Sequence, residues 1–158
     1  MKNSEIANLR LHNQGLSQTI FTDPADAVAQ LGAVQAQDYA GAKWALGQRL
    51  AGYTDAIMDK EFNAGRLLRT HILRPTWHFV TPADIHWMLL ISAPRVHTLS
   101  AYYYRKAGLD SATFKRTNAV IAKVLQGGIQ LTRVEIASAL EKAGVRTDGE
   151  LRLGYIMM

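Results

Sequence analysis

The sequence predicts a mainly α fold with one small β-hairpin, an α+β chain built as tandem helix-turn-helix units of which the second is cut short. Three observations carry this. Proline- and threonine-marked helix starts recur along most of the 158 residues. The apolar period changes to strand-like between residues 67 and 80, in runs rich in β-branched and aromatic residues. After residue 111 the helical order begins again, and the chain stops with its pattern still running.

The elements follow in order. Ser4 to Asn13, with Ile6, Leu9 and Leu11, predicts a first helix ending near Gln14-Gly15. Thr22-Asp23-Pro24 starts a second, with proline in the first turn and Gly32 as its C-cap. Tyr39 to Leu50, carrying Trp44, Leu46 and Leu50, is a third, for which Asp38 is the expected cap. Another runs from Thr54 through Ile57, Met58 and Phe62 to Gly65. Leu67–Leu73 and Thr76–Val80 then read as paired strands, with Arg74-Pro75 as the tight connection or kink. Three helices followed by a hairpin is the order of a winged helix, the hairpin being the wing.

Thr81-Pro82-Ala83-Asp84 opens the next helix, which Pro94 is expected to break, with Arg95–Ala107 following as a separate one. Ser111–Leu125 ends at Gly127-Gly128, and Ile129-Gln130-Leu131 reads as a short strand. Thr132-Arg133-Val134-Glu135 is a capping box. Asp148-Gly149-Glu150 opens a last helix through Leu151, Leu153 and Ile156. The expected organisation is a winged-helix domain over 1–81, a helical connector over 82–110, and over 111–158 a second winged helix cut before its wing. On this reading the chain is a fragment of a longer protein or a degraded one.

Composition narrows the function classes. With 48% hydrophobic residues the chain can bury a core, and with no cysteine it can hold neither disulfides nor a thiolate metal site. No apolar run approaches the ~18 residues of a membrane span, and residues 1–20 lack the regions of a signal peptide, so a soluble cytoplasmic protein is expected. The net charge of +5 is uneven. Residues 1–63 net −2, residues 66–123 net +7, and residues 124–158 balance. A basic middle third suits a polyanion, although a solvated basic face has the same composition.

Val34-Gln35-Ala36-Gln37-Asp38 lies where the chain turns between two helices. Glutamines two apart point about 200° from each other on a helix but to one side of an extended segment. If both serve one site, the segment is not regular helix. A polar turn touching backbone or phosphate is the plainer alternative. His71 and His78 fall on opposite arms of the hairpin, where a structural hydrogen bond competes with a phosphate contact. No histidine pair is spaced one helical turn apart, so no metal site is expected. Tyr102-Tyr103-Tyr104 before Arg105-Lys106 has the composition of an aromatic-basic nucleic-acid platform. Three consecutive tyrosines face three directions on a helix, so at least one belongs to the core. Trp44, Trp77 and Trp87 read as core anchors.

Several segments together resemble the winged-helix DNA-binding family that includes the AlkZ and YcaQ DNA glycosylases. They are Leu9-Arg10-Leu11 with Gln14-Gly15-Leu16, Leu31-Gly32-Ala33-Val34-Gln35-Ala36-Gln37-Asp38, Ala45-Leu46 with Arg49, and Leu73-Arg74-Pro75-Thr76-Trp77-His78-Phe79-Val80-Thr81-Pro82-Ala83-Asp84. In that family a Gln-x-Gln or Gln-x-Asp motif is the catalytic signature for removing alkylated purines, crosslinked ones included. Gln35 and Gln37 fill it here, and glutamine in the second place is closer to the AlkZ branch than to the YcaQ branch. Family members are longer, with three winged helices and a C-terminal β-barrel whose hairpin enters the DNA. The resemblance implies a DNA repair glycosylase that hydrolyses the N-glycosidic bond of alkylated purines, and a chain that is slow or inactive without the missing parts.

Glutamine has no useful pKa and is a poor general base. It can hold a water in line with the anomeric carbon and stabilise developing positive charge through its carbonyl dipole. That suffices when the leaving purine is already cationic, and it calls for no metal or organic cofactor. The partner is double-stranded DNA, alkylated where the enzyme acts. Lys43 and Arg49 on the expected recognition helix, with Arg69, Arg74 and His78 on the wing, are the candidates for holding it through phosphate. Two rivals stand beside the enzyme: a non-catalytic winged-helix DNA-binding protein or transcriptional regulator, and a protein-interaction domain without DNA affinity.

Overall fold

Side-chain caps start several of the helices where the sequence places them. The computed structural model describes residues 2–18, 21–74, 76–149 and 151–158. Its first helices are α1 (Asn3–Asn13), α2 (Pro24–Leu31), α3 (Tyr39–Gly47) and α4 (Asp55–Asn63). Asp23 accepts from the Ala25 N–H at the start of α2, Asp38 from Gly41 at α3, and Thr54 from Ile57 at α4. Gly32 ends α2 at φ +76°, a backbone conformation that a side chain resists.

The hairpin is present as β2 (Leu68–Ile72) and β3 (Thr76–Val80), paired antiparallel from Leu68↔Val80 to Ile72↔Thr76. Pro75 of the expected connection lies outside the described residues. A third strand, β1 (Val34–Gln35), pairs with the far edge of β3 in the register Val34↔Phe79 and Gln35↔His78. Two residues are too few to show a period of two, so only the pairing reveals this strand.

The chain divides into two units, Met1–Val96 and His97–Met158. In the first, Ala27 and Val28 of α2, Ala42 and Leu46 of α3, Met58 of α4 and Phe79 of β3 form the core, with Ala36, Leu50 and Leu67. Phe79 is fully buried, its ring centroid 4.9 Å from that of Phe62 and 5.7 Å from that of Tyr39. Ile72, Val80 and Met88 make a smaller cluster beside it.

Helix α5 runs from Ile85 to Lys106 through Pro94, which therefore does not break it as expected. Proline removes the N–H that would bond the Leu90 carbonyl. Leu90, whose carbonyl loses that donor, is among the most exposed residues.

The second unit contains the end of α5, α6 (Ser111–Val124), α7 (Arg133–Lys142) and α8 (Arg152–Ile156). Its core is Tyr104, Leu109, Ile136, Leu140, Val145 and Ile156. The capping box is formed, with Thr132 accepting from the Glu135 N–H and Glu135 accepting from the Thr132 N–H. The Thr132 hydroxyl, which also donates to the Glu135 carboxylate at 2.7 Å, and the Thr132 N–H together hold that carboxyl below its ordinary pKa. Ile129-Gln130-Leu131 is not a strand: no ladder partner exists for it among the described residues. Asp148 does not cap the last helix but pairs with Arg146, and α8 begins at Arg152. Glu150, expected in that cap, lies outside the described residues.

None of the three tryptophans is a core anchor. Trp44 is 64% exposed, Trp87 is 49% exposed, and Trp77 is only half-buried. Trp44 stands two residues before the buried Leu46, about 200° around α3. Trp87 donates its indole N–H to Asp84 at the head of α5. Of the tyrosine triplet, Tyr104 is buried while Tyr102 and Tyr103 are exposed, as the helical period requires. No helix among the described residues is long and apolar enough to cross a membrane.

Candidate nucleic-acid site around the glutamine motif

The motif segment leaves α2 through Gly32 and enters the sheet. Gln35 lies in β1, and the Ala36 N–H donates to the Trp77 carbonyl at 2.7 Å, extending the pairing one residue further. Ala36 is fully buried, whereas Gln35 and Gln37 are both exposed. The alternation of an extended chain thus turns the two glutamines to one side and the alanine into the core. Asp38 then caps α3 immediately after the motif.

Contacts fix this segment. The Gln37 side-chain oxygen accepts from the Trp77 N–H at 3.3 Å, which uses one of its two lone pairs. The Arg69 guanidinium donates to the Ala36 carbonyl from Nε (3.1 Å) and Nη2 (2.9 Å), and Nη2 reaches the Gln37 carbonyl at 3.5 Å. The same guanidinium lies 4.5 Å from the Trp77 ring and 5.5 Å from the Tyr39 ring. His71 in turn packs its ring 3.9 Å from Trp77. Beside Gln35, His78 is buried and its Nδ1 lies 2.9 Å from the Thr76 carbonyl. A carbonyl only accepts, so this nitrogen carries a proton.

The structure therefore brings Gln35, Gln37, Arg69 and His78 together across the three strands, with Arg69 and His78 both engaged inside the fold. Arg69 holds motif backbone, and His78 is a buried residue of β3 in register with Gln35. Arg74 stands exposed at the hairpin tip. Arg49 binds the Gln14 carbonyl at 2.8 Å and the Ala45 carbonyl, fastening the end of α3, and its burial lowers its pKa. Lys43 is buried, with its ammonium 2.7 Å from Asp55 and 2.9 Å from Asp59 on α4. Hydrogen bonds to these carboxylates raise its pKa well above the ordinary lysine range. Its charge is already met within the fold, which speaks against the expected phosphate contact. Lys43→Met should lower the melting temperature, by leaving two carboxylates facing each other, without weakening DNA binding. A loss of DNA affinity with unchanged melting would restore the phosphate role.

Sequence reading missed Trp77 and Tyr39 as the rings that flank Arg69. A weak signal existed in Tyr39, which follows the motif directly. Their meeting with Arg69 needs the β2–β3 register, which no local pattern encodes.

Comparison with known proteins adds two findings. The model of the DNA glycosylase AlkZ-like family matches residues 28–156. Among solved structures, the DNA glycosylase AlkZ of Streptomyces sahachiroi is similar at 27% sequence identity and a TM-score of 0.69, over 83% of this chain. The chain spans 35% of the length of that protein. No curated protein matches it.

Proposed function

The chain belongs to the AlkZ-like DNA glycosylase family, and from that premise we propose that it acts in hydrolysis of the N-glycosidic bond of alkylated purines in DNA, with Gln35 and Gln37 at the reacting atoms. The observation that carries the proposal is the placement of both glutamines on the solvent side of one extended segment, with Ala36 buried between them. In the order α2, β1, α3, α4, β2, β3 the first unit reads as a winged helix, and α6 and α7 as the helices of a second one.

The chemistry follows from the leaving group. Alkylation at N7 or N3 makes the purine cationic and weakens its bond to C1′. As that bond breaks, its electron pair passes to the base, which departs neutral, and positive charge develops on the sugar. Amide oxygens at the motif stabilise that charge and align a water on C1′. The water oxygen bonds to C1′ and its proton passes to solvent. Neither glutamine has to accept the proton, so an uncharged pair discriminates by lability: a neutral base is too poor a leaving group. Arg69 is a positioning residue here, since it holds the carbonyls of Ala36 and Gln37 rather than the substrate.

A regulator would instead lay α4, the last helix before the hairpin and not the expected Tyr39–Leu50 helix, in the major groove. That helix carries Asp55, Asp59 and Glu61 against a single Lys60, the wrong sign for a phosphate-lined groove. The test is a single-turnover reaction of the whole chain with duplex DNA containing N7-methylguanine. Release of the methylated base, with undamaged DNA left intact, supports the proposal. Salt-dependent binding with no release at any enzyme excess, by this chain and by a version extended with the parts the family adds, overturns it in favour of a binding module.

A further inference from the structure

The second unit contains a cavity of about 720 Å³ away from the glutamine motif in sequence, with Tyr103, Lys106, Arg146, Asp148, Arg152 and Tyr155 in its wall. Two features of this wall belong together. The rings of Tyr103 and Tyr155 stack with centroids 6.2 Å apart and planes at 22°, while Tyr103 remains 52% exposed. Three cations stand against one carboxylate, and Asp148 is spent on Arg146 at 2.9 Å. Arg152 uses Nε on the Arg146 carbonyl and Nη1 on the Ala107 carbonyl, which leaves its Nη2 hydrogens. Lys106 is exposed.

We propose that this cleft binds an unpaired nucleotide of a DNA strand, its base stacking on Tyr103 and its phosphate meeting Lys106 and Arg152. A flat aromatic face beside surplus positive charge is the chemistry that recognises a nucleotide. A strand suits it better than a free nucleotide because the charge surplus extends beyond the cleft. Residues 97–158 hold nine Lys/Arg against five Asp/Glu, whereas residues 1–96 hold nine against eight. The site is separate from the glutamine motif and does not depend on the reading of that motif.

The experiment is fluorescence anisotropy of the whole chain with a labelled ten-residue oligo-dT at low salt. Tyr103→Ala should weaken binding by about tenfold, the loss expected from one base–aromatic stack. Tyr103→Phe should bind like the parent, and the parent and Tyr103→Ala should bind an abasic oligonucleotide equally. Lys106→Glu should weaken both oligonucleotides and flatten the salt dependence, since each phosphate contact releases about 0.7 counterion on a single strand. Gln37→Ala should change none of this, so the failure of either proposal is visible apart from the other. Parent-like binding by both Tyr103→Ala and Lys106→Glu would overturn the inference. So would a Tyr103→Ala loss that is as large on the abasic strand, or displacement by thymidine monophosphate at the same concentration as by the oligonucleotide.

Discussion

Gln37→Ala should slow release of N7-methylguanine by about 10²–10³-fold in single turnover, the range measured when one preorganised charge-stabilising amide is removed from an active site. DNA affinity should stay within about twofold. The asymmetry arises because the amide acts on charge that exists only as the glycosidic bond breaks, so its loss falls on the chemical step. The structural cost is small. Gln37 is exposed, and the Trp77 N–H that it accepts from can turn to water instead. Equal rates for the variant and the parent would take Gln37 out of the mechanism. Unchanged chemistry with weakened binding would make it a DNA contact.

Phe79→Ala should destabilise the first unit by about 3–5 kcal/mol, the usual cost of emptying a fully buried phenylalanine site. Its ring touches Tyr39, which follows the motif, and Phe62 of α4, and its backbone pairs with Val34 on one side and Arg69 on the other. One side chain thus supports the motif strand, the cap of α3 and the strand that carries Arg69. Collapse around the vacancy should also displace the glutamines, so catalysis should fall even at temperatures where the variant stays folded. Urea unfolding followed by far-UV circular dichroism measures the first effect. A cost below about 1 kcal/mol would show that this core does not hold the sheet together.

What the sequence disclosed was local. Asp23-Pro24, Thr54 and the Thr132–Glu135 box announce helix starts because a cap is settled within three or four residues. Leu68–Ile72 and Thr76–Val80 announce strands by composition alone. The two glutamines stood out through their spacing, and their non-helical backbone follows from needing one side. The remainder depended on partners far along the chain. Lys43 looks like a surface cation until α4 brings Asp55 and Asp59 to it, and Arg69 looks like a wing cation until pairing sets it under Ala36. Ile129-Gln130-Leu131 has strand composition, but a strand exists only where another edge accepts it. Trp44 and Trp87 were misread because size was taken for burial, whereas helical phase decides it.

The burial of Ala36 changes what the letters Gln-x-Gln specify. The middle letter is not a spacer. It is the point where the motif is nailed to the protein, its N–H given to Trp77, its carbonyl taken by Arg69 and its methyl group sealed inside. A chain could keep both glutamines and still have no site, if a charged or bulky residue between them forced that peptide outward. The converse also holds: one inserted residue would send the second glutamine to the opposite face. The information in the motif is therefore carried by three positions, and the one without a functional group tolerates the least change.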